Sequence, residues 1–169
     1  MTDILVKNAR VIDGTQDRPS DAIDIRLVDG YVQEVSASLS APDTATVIDA
    51  KNSFVMPGLI DAHVHVNAQN ANLKENAALP DAIATVGTMN LMQAMLARGF
   101  TTVRDLGGAS GPLRKAMEMA PVQLPRLNIC GKALSQTGGH TDQRGPLDDR
   151  PVPAWPAAVG ATRGTCAGV

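Results

Sequence analysis

The sequence predicts an α/β protein in which a small β-rich unit precedes strands that alternate with helices. Two features predict this class. Residues 1–56 alternate polar and apolar positions over short runs, as strands with one buried face do. From residue 57 onward, apolar strand-like runs alternate with segments of helical period, which indicates βαβ crossovers and a parallel sheet. We therefore predict a β-rich unit at 1–56 and an α/β unit at 57–169.

Three strand-like runs make up the first unit: DILVKNARVID, AIDIRLVDGYVQEVSA and ATVIDAKNSFVM. The second run contains Asp29-Gly30, a strong hairpin signal because both residues tolerate a positive φ angle. The first unit is therefore expected to be a small sheet rich in hairpins.

The second unit begins with the apolar run PGLIDAHVHV at 57–66. Pro80 and Gly99 then delimit a predicted helix over about 80–98, since proline favours a helix start and glycine a helix end. Apolar residues at helical spacing predict that this helix packs in the core: Leu91, Met92, Met95 and Leu96. The pattern continues with a strand at 100–108, a helix at 111–120 and a strand at 126–134.

The composition limits the kinds of molecule that the chain is expected to bind. The net charge is −2 and lysine and arginine form no cluster, so the sequence predicts neither nucleic-acid nor anionic-membrane binding. The N-terminus does not resemble a secretory signal, and no run reaches the roughly 18 apolar residues of a membrane span. A small-molecule substrate in the cytoplasm is the resulting expectation. Cys130 and Cys166 lack CxxC spacing, which argues against a disulfide framework or a cysteine-rich zinc site.

The sequence contains three histidines, and two of them, His63 and His65, lie one residue apart in the run at 57–66. In a strand these two side chains share a face with Asp61, with Cα atoms about 6.5–7 Å apart, so both imidazoles can reach one metal ion. The opposite face is expected to contact covering helices: Ile60, Ala62, Val64 and Val66. The alternative is two buried histidines that are each satisfied by a local hydrogen bond. Catalytic zinc sites typically have three protein ligands, so further ligands must come from elsewhere.

The segments MPGLIDAHVHV and GFTTVRDLGG, after a β-rich stretch of about fifty residues, resemble the N-terminal part of the amidohydrolase superfamily. These proteins are metal-dependent hydrolases built on a (β/α)8 TIM barrel with a small β-sandwich. KALSQTGGHTDQRGP resembles the imidazolonepropionase-related, prolidase-like branch, whose members cleave dipeptides or small cyclic amides. The resemblance thus implies a sandwich-like first unit, the first three β/α units of a barrel, and hydrolysis of a C–N bond by metal-activated water.

The resemblance also implies roles for individual residues. His63 and His65 match first-strand ligands of one metal ion, and Asp61 would orient them or hold the local backbone. His140 matches a histidine at the substrate end of the barrel, where it would contact a scissile carbonyl. The implied cofactor is one or two divalent ions, preferentially zinc, although imidazole also suits manganese, iron and cobalt. Arg104 and Asp105 are interpreted as an ion pair or a loop anchor.

The family pattern also includes a carboxylated lysine, two later histidines and an aspartate, for which this sequence offers no match; its last lysine is Lys132. We therefore expect a truncated barrel that contains no catalytic residue and is inactive by itself. A full barrel needs about 250 residues. The Gly- and Pro-rich residues 135–169 are either a long loop over an active site or a chain that stops before its covering elements.

The sequence leaves two functional classes open. The chain is either a hydrolase, complete or as a fragment, or a non-catalytic structural or interaction module that keeps the start of the barrel. His63, His65 and His140 would form a mononuclear metal site only if the loop at 139–140 folded over the first strand. A homo-oligomer is compatible with the sequence, because an incomplete barrel exposes apolar strand edges.

Overall fold

The computed structural model describes residues 2–72, 75–76, 79–132, 136–139 and 146–148. The chain forms two units, Met1–Pro57 and Gly58–Val169. The first unit contains β1 (Asp3–Val11), β2 (Ala22–Val28), β3 (Tyr31–Ser36), β4 (Thr46–Asp49) and β5 (Phe54–Val55). The second contains β6 (Leu59–Val64), α1 (Asp81–Ala97), β7 (Phe100–Asp105), α2 (Gly111–Glu118) and β8 (Arg126–Ile129).

The first unit is one mixed sheet with the strand order β3-β2-β1-β4, and β5 also pairs with β1. The hairpin predicted at Asp29-Gly30 is confirmed: Val28 pairs with Tyr31, and the two turn residues have φ angles of 48° and 85°. The parallel pairing of β4 and β5 with β1 was not predicted from the hairpin pattern. This pairing places β1 in the interior of the sheet, with partners on both of its edges.

Asp24 on β2 is buried and fixes the backbone on two sides of its strand. Its carboxylate accepts hydrogen bonds of 3.0 Å from the amides of Asn8 and Leu39. Asn8 has a positive φ angle of 56° and lies where the β1–β2 register shifts. Hydrogen bonds from the Leu39 and Asn8 amides hold the pKa of Asp24 below its ordinary value of 3.8, with a smaller contribution from Lys7. The ionised carboxylate of Asp24 therefore stabilises the irregular backbone of β1 at Asn8.

The second unit confirms the predicted alternation of strands and helices. β6, β7 and β8 form a parallel sheet in that order, α1 packs against β7, and α2 packs against β8. Its buried apolar core is formed by Val66, Met92, Met95, Val103, Ala109, Met117 and Leu127. The prediction that the methionines of the first helix pack in the core is therefore confirmed.

Helix boundaries follow the expected chemistry. Pro80 is the N-cap of α1, and Gly99 follows its end with a φ angle of 93°, while its amide donates to Leu96. Ser110 caps α2, because its Oγ accepts a 3.2 Å hydrogen bond from the Leu113 amide. Within the described part of the chain, neither helix is long and apolar enough to cross a membrane.

Two expectations about the second unit are corrected. The side chain of Ile60 is 71% exposed and Ala62 is also exposed, because the helices cover β7 and β8 and leave this face of β6 uncovered. The strands predicted at 100–108 and 126–134 end earlier, at Asp105 and Ile129. The first ends early because the Asp105 side chain binds the following amides and turns the backbone.

Candidate metal centre

The strand that contains the histidine pair carries a bulge at its C-terminal end. Asp61 pairs with Val103 and Val64 pairs with Asp105, so Ala62 and His63 lie opposite the single residue Arg104. A bulge of this kind bends the strand and redirects its side chains, and bulges are frequent beside functional sites. Here it lies at the edge of the parallel sheet where α/β proteins place their chemistry.

His63 and His65 lie next to each other on this edge. Their ring centroids are 5.5 Å apart and the rings meet edge to face at 81°. Both residues are exposed, and His65 lies one position beyond the end of β6. The two imidazoles are therefore adjacent and accessible, as two ligands of one ion must be.

The ring of His65 is oriented by the loop after β7. Its Nδ1 lies 3.0 Å from the carbonyl oxygen of Gly107. A carbonyl oxygen only accepts, so the proton of this hydrogen bond belongs to Nδ1, and in the neutral ring Nε2 carries the lone pair. Metal-binding histidines are typically held in this way through their second nitrogen.

Asp105 connects the two loops that surround His65. Its side chain is 0% exposed, and it accepts hydrogen bonds of 2.8 Å from Val66, 2.9 Å from Gly107 and 3.1 Å from Ala109. It thus fixes the residue that follows His65 and also the residue whose carbonyl holds the His65 ring. The interpretation of Asp105 as a loop anchor agrees with this geometry, and the described ion pairs include none between Arg104 and Asp105.

Asp61 and Arg104 both bind the peptide between Ala62 and His63. The Asp61 carboxylate accepts a 3.0 Å hydrogen bond from the His63 amide. The Nε of Arg104 donates a 2.9 Å hydrogen bond to the Ala62 carbonyl. Asp61, predicted to orient the histidines or hold the local backbone, therefore contacts the backbone of His63.

The loop that follows the histidines is organised by Asn76, whose side chain is only 1% exposed. Its Oδ1 accepts a 2.9 Å hydrogen bond from the Gln69 amide. Its Nδ2 donates to the backbone carbonyls of Asn70 at 2.7 Å and Asn72 at 3.0 Å. One amide side chain thus connects Gln69, Asn70 and Asn72.

Among the described residues, the candidate metal ligands are His63 and His65. Among them, no group of three or more histidine, cysteine, aspartate or glutamate side chains is close enough together to hold an ion. His140 lies outside the described residues, so its predicted contact with substrate and the three-histidine arrangement remain predictions. The donor chemistry of two imidazoles suits two ligand positions of a zinc ion, and a catalytic zinc site typically has three protein ligands.

Sequence reasoning missed the roles of Gly107 and Arg104. Gly107 acts through its backbone carbonyl, and the only sequence signal is the Gly-Gly turn after a strand. The role of Arg104 depends on a bulge in a strand 42 residues earlier, which the alternation of residue types does not reveal.

Comparison with known proteins places this geometry in context. Residues 54–159 match the family model described as the Amidohydrolase family. A dihydroorotase from Citrifermentans bemidjiense is 36% identical over 107 residues, which are 63% of this chain and 22% of that protein. The chain therefore spans about a fifth of the length of this curated relative.

Two solved structures match nearly the whole chain. A crystal structure of an amidohydrolase is 42% identical with a TM-score of 0.85, and the match covers 96% of this chain and 40% of that one. A crystal structure of a prolidase complexed with N-methylphosphonate-L-proline is 38% identical with a TM-score of 0.85, covering 95% and 39%. The described α/β fold is thus the fold of about two fifths of these proteins.

Proposed function

The chain belongs to the amidohydrolase family, and from this premise we propose that it supplies the first-strand half of a metal centre that hydrolyses an amide C–N bond. The observation that carries the proposal is the adjacent pair His63 and His65 at the C-terminal end of β6, with the His65 ring oriented by Gly107. Members of this family are generally metal-dependent.

The two histidines are the residues that would hold the ion. His65 is prepared for this role, because Nδ1 is engaged by Gly107 and Nε2 is the nitrogen that can coordinate. His63 contributes the second imidazole from the adjacent position. We propose that the preferred ion is zinc, coordinated by the neutral imidazole nitrogens of the two histidines. Manganese is the alternative to be tested.

A divalent ion held there would polarise the scissile carbonyl and activate the attacking water. The described residues contribute binding and orientation to this chemistry. Asp105 holds the backbone of Val66 and Gly107, so the His65 imidazole is already oriented before a ligand binds. Asp61 holds the backbone of His63 and is proposed as a positioning group.

The substrate class we propose is a dipeptide or a small cyclic amide. The likeness to a prolidase, which covers 95% of this chain, supports a dipeptide. The likeness to a dihydroorotase supports a cyclic amide and covers 63% of the chain. His140 is proposed to contact the scissile carbonyl.

The second candidate function is a non-catalytic structural or interaction module, favoured by the finding that the described residues bring only two histidines together.

Calorimetric titration of zinc into the 169-residue chain at neutral pH tests the metal centre. We expect a dissociation constant of about 1 μM or weaker, which corresponds to a binding free energy of about 8 kcal/mol or less. Closed zinc sites with four protein ligands reach roughly 10–16 kcal/mol, and two histidines supply only half of such a ligand set. His63→Ala and His65→Ala should each abolish the binding. Wild-type protein that binds no zinc would contradict the proposal and favour the non-catalytic module.

The variant His140→Ala separates the two metal arrangements. One-to-one nanomolar binding that also disappears in His140→Ala would establish a three-histidine site and replace the two-histidine proposal. Weak binding that persists in His140→Ala supports the pair His63 and His65.

An assay of the same chain with Xaa-Pro dipeptides and dihydroorotate, in added zinc or manganese, tests whether these residues are sufficient for turnover. We propose that they are not, and we expect no hydrolysis above background. Hydrolysis that is lost in His63→Ala would show that the 169 residues contain a working centre.

A further inference from the structure

We propose that Arg104 is a positioning residue for the metal ligand His63, acting through the backbone at the bulge of β6. The inference rests on the proposed metal centre. It starts from the juxtaposition of Arg104 with the Ala62–His63 peptide, the one place where two residues of β6 oppose one residue of β7.

The peptide between Ala62 and His63 is bound at both of its polar atoms by side chains of opposite charge. Its N–H donates to the Asp61 carboxylate at 3.0 Å, and its C=O accepts from the Arg104 Nε at 2.9 Å. Hydrogen bonds to ionised groups are roughly twice as strong as those between neutral groups. The two side chains therefore fix the orientation of this peptide plane.

The orientation of this peptide sets the direction of the His63 side chain. A planar peptide leaves only two soft torsions at each residue, so fixing the plane that precedes His63 restricts the direction of its Cα–Cβ bond. A bulge otherwise permits several local backbone arrangements, because it interrupts the regular strand pairing. Arg104 thus selects the arrangement in which the His63 ring lies 5.5 Å from the His65 ring.

The two ligands are held by separate devices. The ring of His65 is fixed by the Gly107 carbonyl, which Asp105 holds in place. His63 has no described hydrogen bond from its ring, and its backbone is held by Asp61 and Arg104. Loss of Arg104 should therefore disturb His63 and leave the His65 contact with Gly107 unchanged.

Titration of zinc into Arg104→Ala tests this inference against a matched control. We expect the dissociation constant to rise about 10–100-fold, the loss typical when a residue that orients a metal ligand is removed. Arg104→Lys should show a similar loss, because an ammonium does not place a donor where Nε lies. The control is Arg114→Ala on α2, which removes an exposed arginine paired with Glu118 and should leave the affinity unchanged.

The absorption spectrum of the cobalt-substituted chain gives a readout that a general loss of stability would not move. We expect the ligand-field bands of Arg104→Lys to shift while its thermal unfolding stays close to that of the unsubstituted chain. Affinity and spectrum that match those of the unsubstituted chain in both Arg104 variants would overturn the inference.

The metal-free protein separates this inference from the proposed function. NMR couplings between the amide and α protons should show that the φ angle of His63 averages over more than one value in Arg104→Lys, whereas the coupling of His65 is unchanged. Unchanged His63 couplings would overturn the role of Arg104. Absence of zinc binding by the unsubstituted chain would instead contradict the proposed function, and the couplings would still decide the inference.

Discussion

The carboxylate of Asp105 accepts a 2.8 Å hydrogen bond from the amide of Val66, a residue 39 positions earlier in the chain. The same carboxylate binds the amides of Gly107 and Ala109. One buried side chain therefore joins the ends of β6 and β7 at the place where the two histidines lie. This relationship makes the geometry of the candidate site dependent on Asp105, whose described hydrogen bonds all go to backbone amides.

Replacement of Asp105 by alanine should strongly destabilise the second unit. Three buried amides would lose their acceptor, and each unsatisfied buried group costs about 1–3 kcal/mol, so the free energy of unfolding should fall by about 3 kcal/mol or more. Urea denaturation followed by a probe in the second unit measures the change. The exposed carboxylate Asp43 provides the control, since Asp43→Ala should change stability by no more than about 0.5 kcal/mol. Equal stabilities of the two variants would contradict the role of Asp105.

Gly58 should not tolerate a side chain. A Cβ atom at this position would lie 2.7 Å from the Cβ of Thr101 and closer still to its Cγ2 and Oγ1. Because both Cβ atoms are bonded directly to the backbone, Gly58→Ala must move backbone, which should cost about 1–3 kcal/mol. Thermal unfolding of the variant measures this cost. Gly111→Ala is the matched control, with open space around its Cβ, and should be neutral or stabilising.

The stability of the first unit should depend on the ionisation of Asp24. Hydrogen bonds from the Leu39 and Asn8 amides lower its pKa in the folded state below 3.8. The stabilisation is therefore fully present above the unfolded pKa and is lost as the pH falls through the folded pKa. Hydrogen exchange of the Asn8 and Leu39 amides should show protection that declines below about pH 4. In Asp24→Asn this decline should be absent, and its persistence there would assign it to another group.

Asn76 should control the order of the loop that follows the histidines. Asn76→Asp preserves the shape of the side chain but replaces Nδ2, which donates to two backbone carbonyls, by an oxygen that only accepts. The contacts with the carbonyls of Asn70 and Asn72 are therefore lost. Exchange of the Gln69 amide, which is bound to Asn76 Oδ1, should accelerate about tenfold or more, as expected for a loss of about 1.4 kcal/mol or more. Unchanged exchange would show that the loop is held by other contacts.

Local signals in the sequence predicted the elements whose causes are local. Pro80 and Gly99 delimit α1 because proline and glycine act on their own backbone, and Asp29-Gly30 forms its turn for the same reason. The alternation along β6 predicted that His63 and His65 would be neighbours, and their rings are adjacent.

Features with distant causes were not predictable in this way. The parallel pairing of β1 with β4 joins residues about forty positions apart, and no local pattern distinguishes it from a third hairpin. The bulge opposite Arg104 likewise depends on how β6 and β7 meet. The exposed face of Ile60 was mispredicted because an apolar strand indicates burial but does not specify which helix covers it.

The position of β1 has a consequence for the order of events during synthesis. Its antiparallel partner β2 is made soon after it, whereas its parallel partners β4 and β5 begin only at Thr46 and Phe54. A nascent chain that has emerged only as far as β3 therefore carries β1 with one unpaired edge, and such edges readily recruit other strands. We expect chaperone contacts with the nascent chain to concentrate on β1 until β5 has left the ribosome, and to decline once both of its edges are paired.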